Sequence, residues 1–135
     1  MNHRESRKHQ NHLILGNSAA ALNAVKAIRE NDSTSNITLV SAEEHYAYSP
    51  VLLTYYVAQK IKRSALFLAD QNFYQQYGVE LILGNPATRV DPQNRQVTFA
   101  NNGVLDYDNL LIATGSSAKP LGIPGEDLPG VFTLK

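Results

Sequence analysis

The segment His12-Leu13-Ile14-Leu15-Gly16-Asn17-Ser18-Ala19-Ala20-Ala21 constrains the fold of this chain more than any other. Leu13 to Leu15 is an unbroken apolar run, the pattern of a strand covered on both faces, as in a parallel sheet. Gly16 interrupts it, and from Ser18 to Glu30 the pattern turns helical. Leu22, Val25 and Ile28 recur at spacing three beside Ala21 and Ala24, while Lys26 and Arg29 fall elsewhere on the circle. Asn31-Asp32-Ser33-Thr34-Ser35-Asn36 reads as a polar loop, and Ile37-Thr38-Leu39-Val40 as a second strand. Strand, helix and strand in about thirty residues form a βαβ unit with a right-handed crossover.

The rest of the chain extends this α/β start. Residues 41–50, rich in Ser, Glu and Tyr and closed by Pro50, read as a loop. Val51 to Lys60 and Asp70 to Tyr77 read as helices, the second stopped by Gly78. Val79-Glu80-Leu81-Ile82-Leu83 is a third buried strand. Ala87 to Val90, Gln96 to Phe99 and Val104 to Tyr107 then alternate in the manner of an antiparallel meander. Asp91-Pro92-Gln93-Asn94 and Asn101-Asn102-Gly103 separate them, and Asn102-Gly103 is a strong hairpin signal because both residues tolerate positive φ. Leu110-Leu111-Ile112-Ala113-Thr114-Gly115 returns to the buried-strand pattern and stops at small residues. Residues 116–130, with three prolines and three glycines, read as an extended connection, and Val131-Phe132-Thr133-Leu134 as one more short strand. The expected organisation is a polar tail over residues 1–11 and one domain over 12–135.

Composition narrows the chemistry. At 135 residues, 43% apolar and 18% charged, the chain has the profile of a globular domain with a core. Its formal net charge is zero, so no nucleic-acid partner is expected. No apolar run approaches the roughly 18 residues that cross a bilayer, and the start lacks a signal-peptide pattern, so the expected location is the cytoplasm, away from membranes. The absence of cysteine removes a thiol nucleophile, a redox disulfide and a cysteine-ligated metal or cluster from these residues. The four histidines, His3, His9, His12 and His45, have no metal-ligand spacing and read as tail or surface residues. Tyr46, Tyr48, Tyr55 and Tyr56 read as core and rim packing rather than a stacking platform. No Ser/His/Asp constellation is legible, and no residue stands out as catalytic.

Gly16 to Ala21 occupies the strand-to-helix corner at which dinucleotide folds carry G-x-G-x-x-G. Only the first glycine is present. Ser18 and Ala21 are the next smallest choices, and Ser18 still admits a phosphate and can donate a hydroxyl to it. Free amides at the helix start, with the helix dipole, favour an anion there. The same residues also suit a tight βα corner in any α/β domain. A ribose carboxylate is expected about 20 residues past the loop. Ser41 follows the second strand, so Glu43 is the first choice, with Glu44 beside it; the other reading is an exposed acid on a solvated loop.

Taken together, these residues resemble the N-terminal FAD-binding part of the pyridine nucleotide–disulfide oxidoreductase superfamily, the flavoproteins with two dinucleotide-binding domains. The resemblance covers residues 12–135 and rests on four features. They are Gly16 to Ala21, Tyr48-Ser49-Pro50-Val51-Leu52-Leu53-Thr54-Tyr55-Tyr56, the meander feeding Leu110 to Gly115, and Ile123-Pro124-Gly125. The second feature is most similar to the branch of nitrite reductase flavoprotein parts, rubredoxin reductases and coenzyme A disulfide reductase-like enzymes. The implied fold is a Rossmann-like FAD-binding domain, a parallel sheet with an inserted antiparallel meander, truncated relative to the family. By resemblance, Gly16, Ser18, Ala19 and Ala20 flank the FAD pyrophosphate, and Glu43 or its neighbour meets the adenosine ribose. Backbone at Ala87 meets adenine, Ser49 and Pro50 lie toward the pyrophosphate and flavin end, and Ala113, Thr114 and Gly115 close over the cofactor.

Departures from the family shape the functional expectation. Val51 stands where members with a reactive cysteine keep it. The arginine or lysine that many members carry around Pro50 or Tyr55 is missing, and Ser116 and Ser117 follow the Ala-Thr-Gly turn where an arginine often stands. The second βαβ that would bind NAD(P)H, the later Gly-Asp segment and an interface domain have no counterpart in these residues. The expectation is an FAD-binding fragment or subunit of an NAD(P)H-dependent oxidoreductase. It would pass electrons through FAD to an unknown acceptor, without a redox cysteine, and be completed by further domains or a partner subunit. Two alternatives stay open: a lone module for an adenine nucleotide, and a non-catalytic interaction remnant prone to self-association through exposed apolar surface.

Overall fold

A computed structural model describes residues 9–133. Parallel strand β1 (Asn11–Leu15) leads through helix α1 (Ala19–Asn31) to β2 (Asn36–Val40). A 3-10 turn over Pro50–Leu52, the short α2 (Leu53–Val57), a second 3-10 turn over Arg63–Leu66 and α3 (Gln71–Gln76) precede β3 (Val79–Ile82). Then come β4 (Ala87–Asp91), β5 (Gln96–Phe99), β6 (Val104–Asp106) and β7 (Asn109–Ile112). Strands β3, β2, β1 and β7 form, in that order, a four-stranded parallel sheet, and β4, β5 and β6 form a separate antiparallel sheet.

Period-two alternation along the parallel strands splits the core into two layers. Ile14, Ile37 and Leu39 face α1, where they pack with Ala21, Leu22 and Val25, and with Tyr74 of α3. Leu13, Leu15 and Val40 face the other way, onto Val97 and Phe99 of the meander. Both sides of β1 are thus covered, which is why Leu13 to Leu15 carries no polar residue. Each such burial contributes about 1.5–3 kcal/mol.

Arg29 closes the far end of this unit. Its Nε donates to the Tyr77 carbonyl at 2.7 Å, and its terminal nitrogens donate to the carbonyls of Asp32, Ser35 and Gly78 at 3.3, 2.8 and 3.1 Å. One guanidinium therefore ties the end of α1, the α1–β2 loop and the α3–β3 corner. Asp32 organises the same loop, accepting from the Thr34 and Ser35 amides at 2.9 and 3.0 Å and from both of their hydroxyls. The Ser35 hydroxyl above all, then the amides, hold the Asp32 carboxyl well below the usual carboxylate range.

Four expectations change. The helix expected over Val51 to Lys60 shrinks to Leu53–Val57 after a 3-10 turn. Val51 and Val57 are 76% and 70% exposed, so this stretch has no buried stripe to hold a longer helix. Gln59, at φ 57°, then turns the chain out of the helical path. Tyr55 and Tyr56 are accordingly exposed rather than packed. At the β5–β6 connection only Asn102 has positive φ, and the Phe99 amide reaches the Gly103 carbonyl at 2.9 Å, so the loop is longer than a two-residue turn. Residues 131–133 are not strand; Leu134 lies outside the described residues, as do His3 and most of the expected tail. His12 lies within β1, half-buried, and among the described residues its Nε2 has no hydrogen-bond partner.

Candidate functional site

The two ends of the fold meet at the carboxyl edge of the parallel sheet. α1 carries the chain from β1 to β2 on one side, while β7 lies against β1 on the other. The gap between β1 and β7 is therefore a topological switch point, where open α/β sheets leave a crevice. The Gly16 amide donates to the Val40 carbonyl at 2.8 Å, and the Ala113 amide donates to the Leu15 carbonyl at 2.7 Å. Gly16 has φ +103°, and a Cβ there would stand 2.3 Å from the Ala113 carbonyl oxygen. Glycine is thus required by direct contact between the β1 corner and the end of β7.

Ser18 is the N-cap of α1, extended at φ −140°, and its hydroxyl makes no capping bond. The first turn holds no acidic residue, and the N–H groups of Ala19, Ala20 and Ala21 have no intrahelical acceptor. Amides and dipole together make this end a site for an anion.

The corner opens into a cleft of about 560 Å³. Of the residues expected to meet FAD, Gly16, Ser18, Ala19, Glu43, Pro50, Ala87, Ala113, Thr114 and Gly115 line it. Ala20 and Ser49 do not. Ala20 is exposed on the first turn of α1, and the Ser49 amide is engaged with the Leu66 carbonyl at 2.8 Å. The cleft wall also includes Asn17, Ser41, Tyr48, Pro86 and Ser116, and among the described residues no lysine or arginine. Among the described residues Glu43 is the one carboxylate lining it. Its amide donates to the Ser41 hydroxyl at 3.1 Å, and its carbonyl accepts from the Gly84 amide at 3.1 Å, which anchors its backbone to the end of β3. Burial pushes the Tyr48 phenol up, and hydrogen bonding to Glu43 and the charge of that carboxylate add to the shift. The donor set would suit a pyrophosphate at the amides of α1 and a ribose at Glu43.

Sequence reasoning missed Tyr74. It is 3% exposed on α3, yet its hydroxyl donates to the Asn17 Oδ1 at 2.9 Å and accepts from the Ala47 amide at 3.4 Å. Burial raises its phenol above the ordinary value, while the bonds to Ala47 and Asn17 pull it back. Positions 17 and 74 are far apart in the chain, and no local pattern joins them.

The sequence profile of the pyridine nucleotide–disulphide oxidoreductase family matches residues 10–135. Over 126 residues the chain is 31% identical to the ferredoxin–NAD(+) reductase subunit of the benzene 1,2-dioxygenase system of Pseudomonas putida, covering 93% of this chain and 31% of that protein. Over 128 residues it is 33% identical to the epsilon subunit of the NADH-dependent phenylglyoxylate dehydrogenase of Aromatoleum evansii, covering 95% and 30%. The crystal structure of NADH:rubredoxin oxidoreductase from Clostridium acetobutylicum superposes with a TM-score of 0.78 at 28% identity, over 89% of this chain and 31% of that one. The chain spans about a third of the length of these relatives. With its βαβ corner, inserted meander and switch-point cleft, this chain belongs to the pyridine nucleotide–disulphide oxidoreductase family.

Proposed function

We propose that this chain supplies the FAD-binding portion of an NAD(P)H-dependent flavoprotein oxidoreductase. The observation that carries the reading is the backbone junction of Gly16 and Ala113 beneath an uncapped helix start, opening into a cleft with a single carboxylate. In this reading the amides of Ala19 to Ala21 and the Ser18 hydroxyl hold the pyrophosphate. Glu43 accepts from the adenosine ribose, backbone near Ala87 meets adenine, Pro50 lies toward the pyrophosphate and flavin end, and Ala113 to Gly115 close over the cofactor. Bound FAD supplies the electron transfer itself, and the protein residues bind, orient and exclude water.

NAD(P)H binding is assigned to a further domain or partner subunit, because the described residues form one βαβ unit of this kind and its cleft is already allotted to FAD. The acceptor is proposed as a small redox protein, since the relatives' names specify a ferredoxin in one case and rubredoxin in another. Among the described residues no helix is long and apolar enough to cross a membrane, and a cytoplasmic location is part of the proposal.

The test is to purify the chain, record its visible spectrum, and titrate it with FAD, ADP and NAD. Saturable FAD binding with quenching or shift of the flavin signal supports the reading. Tight ADP or NAD binding without response to FAD would replace it with an adenine-nucleotide module, and no binding to any of the three would remove the cofactor role from this chain.

A further inference from the structure

The cleft has two walls built from distant parts of the chain, and two side chains, Asn17 and the buried Tyr74, tie them together. Asn17 sits in the strand-to-helix loop, between Gly16 and Ser18. Its Oδ1 accepts from the Tyr74 hydroxyl at 2.9 Å, and its Nδ2 donates to the His45 carbonyl at 3.4 Å. The Tyr74 hydroxyl in turn accepts from the Ala47 amide at 3.4 Å. Residues 45–47 lead directly into Tyr48 and Pro50, which line the opposite wall. The Tyr74 ring is stacked against Tyr46 at 5.7 Å and set edge-on to Phe73 at 5.4 Å, so the hydroxyl is aimed by rigid packing.

We infer that Tyr74, acting through Asn17, is a positioning residue for the phosphate end of the cleft. It fixes the loop that presents the α1 amides and sets the loop's distance from the Tyr48–Pro50 wall. The inference rests on the proposed binding of FAD in this cleft. Its physical basis is the poverty of other restraints. Two of the three fingerprint glycines are replaced and no cation among the described residues lines the cleft, so phosphate affinity depends on amides already held in place. A hydroxyl bonded to two segments contributes to both at once, and its loss leaves the Asn17 oxygen without its donor.

The experiment is Tyr74→Phe, which keeps the ring and removes only the hydroxyl, with Asn17→Ala as second variant and the double variant to close the cycle. Dissociation constants are measured for FAD by flavin fluorescence, for ADP by calorimetry and for adenosine by NMR titration. Tyr74→Phe is expected to weaken FAD and ADP roughly five- to tenfold, while adenosine, which lacks phosphate, changes less than about twofold. In the Asn17→Ala background the same change costs distinctly less than in the wild type, because only the bond from the Ala47 amide is left to lose. Amide exchange at Ser18 to Ala21 in the ligand-free protein is expected to quicken in both single variants, a readout independent of ligand.

A merely structural role would lower the melting temperature and weaken all three ligands alike, with additive losses. Equal weakening of adenosine, additivity in the cycle, or unchanged FAD affinity with unchanged exchange each overturns the inference. Should wild type bind FAD and Tyr74→Phe bind it equally, only this inference falls. Should wild type bind neither FAD nor ADP, the proposed function falls and takes the inference with it.

Discussion

Replacing Gly16 with alanine tests the junction on which the whole cleft stands. The added methyl would sit 2.3 Å from the Ala113 carbonyl oxygen, 2.6 Å from its carbon and 3.0 Å from the Thr114 Cα, all backbone atoms that no rotamer change can move. Two costs arise. An L-residue at φ +103° carries about 1–2 kcal/mol of backbone strain. Spreading β1 from the end of β7 to make room costs about 1–3 kcal/mol more by overpacking, and it strains the 2.7 Å bond from the Ala113 amide to Leu15. The sum, about 3 kcal/mol, is a large share of the roughly 5–15 kcal/mol that holds a domain together. Gly115→Ala is the internal control: Gly115 also has positive φ, at +71°, but a Cβ there meets nothing within 4 Å. It should pay the strain and not the clash. Urea unfolding of both variants, with FAD titration alongside, separates the two. Gly16→Ala should lose at least about 1.5 kcal/mol more than Gly115→Ala, taking the lower half of the overpacking range, with the slope unchanged, and FAD binding should fail with it. A Gly16→Ala loss below about 0.5 kcal/mol, the scale of an ordinary surface change, or equal losses in the two variants, would refute the close-approach argument.

Arg29→Met should cost about 2–3 kcal/mol in denaturant unfolding, because four charge-assisted bonds to carbonyls in two segments vanish together; Arg29→Lys should recover only part, since an ammonium cannot span the same fork. Asp32, whose carboxyl is depressed in the folded chain, contributes stability that is present above its ordinary value of 3.8 and lost as pH falls through the lower folded value. Acid titration of stability should therefore show a limb below about pH 4 that Asp32→Asn flattens, and an unchanged limb would discount the loop network. Glu43→Gln should leave unfolding within about 0.5 kcal/mol, as an exposed side chain, yet weaken FAD by about tenfold through loss of a charged acceptor; equal FAD affinity in the two proteins would remove Glu43 from the ribose.

Much of this fold is legible because the signals are local. The apolar run Leu13 to Leu15 needs cover on both faces, and the structure provides α1 on one and the meander on the other. The alternating segments from Ala87 to Tyr107 encode a sheet buried on one side, as Val97 and Phe99 bear out. Legibility ends where tertiary contact decides. Val51 to Lys60 has the apolar content of a helix, but none of its residues is fully buried and only Leu53–Val57 persists. Tyr55 and Tyr56 stay exposed. In the cleft, the corner residues and Glu43 follow from spacing along one βαβ unit. The Asn17–Tyr74 bond joins positions 57 apart, and nothing periodic marks it.

The position of β7 has a consequence for the order of folding. Asn11 to Val40 can form its βαβ unit early, from contacts close in sequence, but β1 must wait for a strand nearly a hundred residues downstream: the Asn11 amide meets the Asp108 carboxylate across 97 positions. Closing so long a loop is entropically slow and is rewarded only when the strand docks. The floor of the cleft, shared by Gly16 and Ala113, therefore does not exist in a partly folded chain. A ligand seated there selects the finished sheet. It should act as a latch, slowing the release of β7 while leaving the rate of its arrival nearly unchanged.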